Sequence, residues 1–172
     1  DGTEFHQNYL DSVRADTLRE FKSLITGISG EKLRPGQLIE NIGQSISHDI
    51  SLLNSNDFHR NAGCYARGPS SSLFLHRRTQ ISPMAEINTE EGPVVVDEGA
   101  NISSFSLLKG PLYIGKNSSL DRVLISNSIV GKSCRLGGEI SDSLIGNYTN
   151  KHHEGFLGHS IVGDWVNLGA LT

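Results

Sequence analysis

The end of the chain gathers side chains able to do chemistry. In the run NKHHEGFLGHSIVGDWVNLGALT, from Asn150 to Thr172, stand His152, His153 and His159, the carboxylate of Glu154, the ammonium of Lys151, the amide of Asn167 and the single tryptophan, Trp165. Imidazole ordinarily titrates near neutral pH, so histidines in such a run suit proton transfer. Imidazole is also a common zinc ligand, which raises a metal reading. Two features weigh against a metal: His152 and His153 are neighbours, which on a strand point to opposite sides, and His159 lies a full hexad beyond His153. Taken alone, His153 is more often a solvated loop histidine than a catalyst. Acid/base chemistry, a metal and the corners of a repetitive β fold are the three readings of the run.

The spacing of aliphatic residues tells which elements must position these groups. SIVG at Ser128–Gly131, SLIG at Ser143–Gly146 and SIVG again at Ser160–Gly163 form a repeat. Within it, aliphatic residues return after six positions: Ile81 and Ile87, Val96 and Ile102, Ile114 and Leu120, Val130 and Leu136, Val162 and Leu168. Six is the hexapeptide period of a parallel β-helix, in which each hexad makes one short strand and one turn. The aliphatic residue points into a narrow shared core and its polar neighbours face water. Gly99, Gly115, Gly131, Gly146, Gly163 and Gly169 are then corner residues. They do not form the spaced cluster that opens a helix around a nucleotide phosphate.

The first part of the chain is written differently. Apolar residues at Leu10, Val13, Leu18, Phe21, Leu24, Ile25 and Ile28 predict a helix from Asn8 to Ile28, with Gly27 and Gly30 as a stop. A second helix is predicted from Pro35, carrying Leu38, Ile39, Ile42, Ile46 and Ile50 on one face and weakened by Gly43. Residues 54–72 are rich in Asn, Ser and Gly and favour loop. The expected organisation is an α-helical linker segment over 1–65 followed by a β-helix over 66–172, mainly β overall.

Composition narrows the function. With 172 residues, a net charge of -4 and Lys and Arg scattered, the chain lacks the basic stripe that nucleic acid requires. It has neither an apolar run of membrane-spanning length nor a basic and then apolar leader, so the expectation is a soluble, cytoplasmic protein. Cys64 and Cys134 stand far apart in unrelated contexts and are expected to be reduced and structural.

GPLYIGKNSSL, GGEISDSLIGN and above all NKHHEGFLGHSIVGDWVNLGA carry a resemblance. They are similar to the left-handed β-helix of the bifunctional UDP-N-acetylglucosamine pyrophosphorylase and glucosamine-1-phosphate N-acetyltransferase family, sugar nucleotidyltransferases that carry an acyltransferase domain. The resemblance covers roughly residues 66 to 172, and the run from Lys151 to Ala170 is its most specific part. It implies a homotrimer with sites between neighbouring β-helices, taking acetyl-CoA as cosubstrate and glucosamine 1-phosphate or a related amino-sugar phosphate. It also implies further coils beyond Thr172, and a uridylyltransferase domain, needing Mg2+, ahead of Asp1.

Residue by residue, the resemblance makes His153 the catalytic base, by its distance from the Leu157-Gly158 pair and from NLGA. Acetyl transfer to an amine needs a base that accepts its proton and donors that stabilise the thioester oxyanion, which suits histidine. Asn167 matches a position that contacts the amino sugar, and Ala170 a small position near the acetyl group of the cofactor. Lys151, Arg122 and Arg135 are candidate partners of the sugar phosphate, although a surface lysine is the plainer account of Lys151. Phe156 stands where relatives often have tyrosine, and Ser141 where a lysine is expected. These departures bear on the identity of the sugar more than on the reaction. Trp165 is a packing or trimer-interface residue. The alternative is a non-catalytic β-helix that oligomerises or regulates a nucleotidyltransferase.

Overall fold

The computed structural model describes residues 34–51, 53 and 55–170. The helix expected over Asn8–Ile28 lies outside the described residues. The predicted second helix is present as two pieces, α1 (Pro35–Glu40) and α2 (Ile42–Ile50), joined at Asn41. Pro35 opens α1, where its missing N–H costs no helical bond. Leu38, Ile42 and Ile46 are buried, while Ile39 and Ile50 are half-buried, so the apolar stripe of the sequence is the docking face.

The remainder is a left-handed β-helix of about six turns. Its first face stacks β2 (Tyr65–Arg67), β5 (Glu86–Asn88), the start of β8 (Leu107–Ile114), the middle of β9 (Ser119–Val130), the end of β10 (Arg135–Ser141) and β13 (Phe156–Gly158), all in parallel. The second face stacks β3 (Leu73–His76), β6 (Val94–Val96), the ends of β8 and β9, then β11 (Leu144–Ile145) and β14 (Ile161–Val162). The third stacks β4 (Gln80–Ile81), β7 (Asn101–Ile102), the starts of β9 and β10, and β12 (Asn150–Lys151). Turn length varies along the axis. The turns that carry Tyr65 to its partner Glu86 and Glu86 to Leu107 are long, whereas those from Leu124 to Glu139 and from Glu139 to Phe156 are shorter.

The hexad residues fill the prism. Ile114, Leu120, Val130 and Leu136 have no exposed surface. Val162 and Leu168 are half-buried in the last described turn, where neighbouring strands cover them from one side only. Val94, Val95 and Val96 are all buried because both sides of the second face are covered there. Val94 and Val96 point into the prism, and Val95 joins Tyr113 and Ile129 against α2. Gly43 lets α2 approach closely, since a Cβ there would lie 3.0 Å from the Pro111 ring. Among the described residues no helix is long and apolar enough to cross a membrane.

One expectation needs correction. Residues 54–72 are not plain loop, for they hold 3-10 turns at Ser55–Asp57 and Ser70–Ser72, the short strand β1 (Phe58–His59), and β2. Every residue of β2 is exposed, which removes the apolar signal that would have marked a strand. The repeating glycines are corner residues, as expected, and relieve crowding between turns. A Cβ on Gly146 would stand 2.6 Å from the carbonyl carbon of Gly163, and one on Gly131 2.8 Å from the Asn147 nitrogen. The left-handed residue comes two positions after the glycine, at Asn117 (φ 57), Ser133 (φ 56), Tyr148 (φ 57) and Trp165 (φ 60).

Candidate functional site

The corner between the third and first faces carries its own column of left-handed residues, Phe105 (φ 62), Arg122 (φ 46), Gly138 (φ 74) and Gly155 (φ 129). Backbone turned outward at this corner, and the outer side of the first face beyond it, enclose an open cavity of about 500 Å3. Its apolar wall is Phe105, Leu107, Val123, Leu124 and Phe156, and its charged groups are Arg122, Glu139 and Glu154. Parallel stacking brings them together: Leu107, Leu124, Glu139 and Phe156 are successive register partners. Such a cavity can hold an amphipathic ligand, with cationic groups facing the carboxylates and anionic groups facing Arg122.

Arg122 is positioned from below and beside. Its backbone N–H donates to the Ser103 hydroxyl at 3.1 Å, and its guanidinium lies 3.3 Å from the Asp121 carboxylate. Asp121 also accepts from Ser103 Oγ at 2.8 Å, and His152 Nε2 lies 3.9 Å from it. His152 and His153 sit in a bend between β12 and β13, not on a strand as their place in the repeat suggests. Their rings are therefore not on opposite sides but edge to face, with centroids 6.1 Å apart. His153 is exposed and immediately precedes Glu154 on the cavity wall, although it is not itself among the lining residues.

Lys151 departs from both accounts offered for it. It is buried, at 5% exposure, and its ammonium donates to the carbonyls of Gly137 (2.9 Å), His153 (3.0 Å) and Gly155 (2.8 Å). It is no surface lysine, and its three donors are committed to main chain and not to a phosphate. Burial pushes its pKa below the ordinary lysine range, and the Glu154 carboxylate acts in the opposite direction.

The other candidates lie apart. Asn167 is exposed on the third face, where its Oδ1 accepts from Asn150 Nδ2 at 2.7 Å above a parallel bridge between the two residues. This is a stacked asparagine ladder. Ala170 is exposed and Arg135 faces outward on the third face, and neither lines the cavity. His159 approaches Asp142 at 3.9 Å along the corner between the first and second faces. Trp165, 75% exposed, stacks on Tyr148 with ring centroids 4.3 Å apart. No group of three or more His, Cys, Asp or Glu arranged to hold a metal occurs among the described residues. Glu139, Phe105, Leu107, Val123 and Leu124 on the cavity wall, and Asp121 beside Arg122, are residues that sequence reasoning missed. The register, followed backwards from Phe156 one turn at a time, points to Glu139, then Leu124, then Leu107.

Fold and site together define a left-handed β-helix with a ligand-sized cavity on one corner. Over 48 residues the chain is 44% identical to the bifunctional protein GlmU of Thermodesulfovibrio yellowstonii. That stretch is 27% of this chain and spans 11% of the length of the relative. No protein-family model matches the chain. The shared stretch and the β-helix fit the corresponding part of a GlmU-like transferase.

Proposed function

We propose that the protein is an acetyl-CoA-dependent N-acetyltransferase acting on glucosamine 1-phosphate or a related amino-sugar 1-phosphate. The observation that carries this reading is the meeting of Arg122, Glu154 and Phe156 around one cavity with His153 at its edge. In it, Arg122 exchanges its Asp121 partner for the sugar phosphate, and Glu154 and Glu139 face the amine end of the sugar. His153 accepts the amine proton as the nitrogen attacks the thioester carbonyl. The C–N bond forms, the C–S bond breaks, and CoA leaves as the thiol after taking up a proton. The exposed walls Phe105, Leu124 and Phe156 suit contact with neighbouring copies, which supports a homotrimer with the cavity near its interfaces. Full-length synthesis of UDP-N-acetylglucosamine, with a Mg2+-dependent uridylyl transfer, belongs to the same reading.

A second reading is a non-catalytic β-helix that oligomerises or regulates a nucleotidyltransferase. The positions of Asn167 and Ala170 away from the cavity favour it. Thiol release from acetyl-CoA with glucosamine 1-phosphate separates the two. Release that depends on His153 supports the enzyme, and no release with any amino-sugar phosphate supports the non-catalytic β-helix.

A further inference from the structure

Lys151 is a buried cation that the reaction outlined above does not use. An ammonium has three N–H donors and no acceptor, and here each donor has its own main-chain carbonyl. The three acceptors come from two different turns of the prism. Gly137 belongs to the turn below, while His153 and Gly155 frame the bend that lies above it. The Gly155 carbonyl also accepts from the backbone N–H of Glu139 at 3.1 Å. The space for this arrangement exists because residue 138 is glycine: a Cβ there would stand 2.9 Å from Lys151 Nζ and 2.7 Å from the Gly155 oxygen. Between the two clamped carbonyls sits Glu154, on the cavity wall, and the first of them belongs to His153.

We propose that Lys151 is a positioning residue, a three-point internal clamp that fixes the His153–Gly155 bend to the turn below and so holds His153 and Glu154 at the cavity. The inference rests on reading the cavity as the substrate site. Lys151 itself touches no substrate; it acts through the carbonyls it holds. A neutral side chain of similar length fills the same space but leaves those carbonyls short of a donor, so the bend loosens while the aliphatic core stays intact.

Three measurements test this. In the wild-type protein, side-chain nitrogen NMR of the lysines is expected to show one ammonium whose protons exchange slowly with water. Lysines that all exchange like exposed side chains would overturn the clamp without any variant being made. In Lys151→Met, hydrogen exchange of the Glu154–Gly158 amides is expected to quicken by at least about tenfold while the second-face strands keep their protection. Unchanged exchange at the bend would overturn the proposal, and Gly138→Ala, which crowds the same ammonium, provides the check if Lys151→Met does not fold. In acetyl transfer, Lys151→Met is expected to lower kcat by about 10- to 100-fold, as misplacement of a catalytic group does. KM for the sugar phosphate should stay within about threefold, because uniform binding is untouched. In Lys151→Ala, which leaves the space of the side chain open, propylammonium in the buffer should restore part of the lost rate. A raised KM with kcat unchanged would make Lys151 a direct phosphate ligand and sink the clamp. Should the wild type transfer no acetyl group, the reading of the cavity fails, whereas the ammonium and exchange measurements still decide the clamp.

Discussion

Val130 and Ile145 are register partners on adjacent turns of the second face, both buried in the prism. Each turn thus hands its aliphatic residue to the next, and the core is a column one side chain wide. A charge in that column has no partner and no path to water. Val130→Asp should therefore cost several kcal/mol and lower the melting temperature steeply in a circular-dichroism melt. A variant that melts with the wild type would contradict the assignment of this column as the core.

Cys134 supplies a pH prediction. Burial pushes its thiol up to about 11 from an ordinary 9.0, so between those values the unfolded chain loses the proton and the folded one keeps it. The folded state then binds more protons, and stability falls as pH rises from about 9 through 11, by about 2 to 3 kcal/mol at the upper end. Below pH 9 this contribution is fully present. Cys134→Ala should flatten that alkaline decline in melts taken at successive pH values. An identical pH slope in the variant would show that another group is responsible.

How much of this was legible in the sequence depends on whether a signal is local. Ile114 with Leu120 and Val130 with Leu136 each lie one hexad apart, and all four are core. The cavity is another matter. Phe105, Arg122, Gly138 and Gly155 share one corner through stacking alone, and turns of unequal length hide that coincidence from any fixed period. Lys151 reads as a surface lysine in the sequence because burial of a cation follows from three carbonyls that only the folded turns bring together. Tyr148 and Trp165 occupy left-handed corners where glycine or asparagine is the usual choice, so their stack has no composition signal either.

Arg122 offers a test of how the anionic end of the substrate is held. Removing a charge-assisted contact typically costs about 1.5 to 3 kcal/mol, so Arg122→Ala should raise KM for the sugar phosphate by about 10- to 100-fold. The effect on kcat should be smaller, since in the proposed reaction the guanidinium faces a group distant from the reacting amine. Steady-state kinetics with kcat reduced and KM unchanged would assign Arg122 elsewhere.

The apolar wall predicts assembly. Phe105 is 69% and Phe156 58% exposed on a single chain, and both flank the cavity. Light scattering should give the mass of a trimer, and Phe105→Glu should shift it toward monomer by placing a charge in the contact. Monomer across a wide concentration range in the wild type would remove the trimer.

In the proposed reaction His153 takes the amine proton during acetyl transfer. The direct measurement is thiol release from acetyl-CoA in the presence of glucosamine 1-phosphate for wild type, His153→Ala and His152→Ala. General-base catalysis contributes about 100- to 10,000-fold, so His153→Ala should lose that much of the rate. His152, paired with Asp121 behind the bend, should matter far less when replaced. Loss of the rate on His153→Ala with His152→Ala near wild type is the predicted result. Activity that survives His153→Ala unaltered would contradict the account, and loss of wild-type activity on chelation would point instead to a metal.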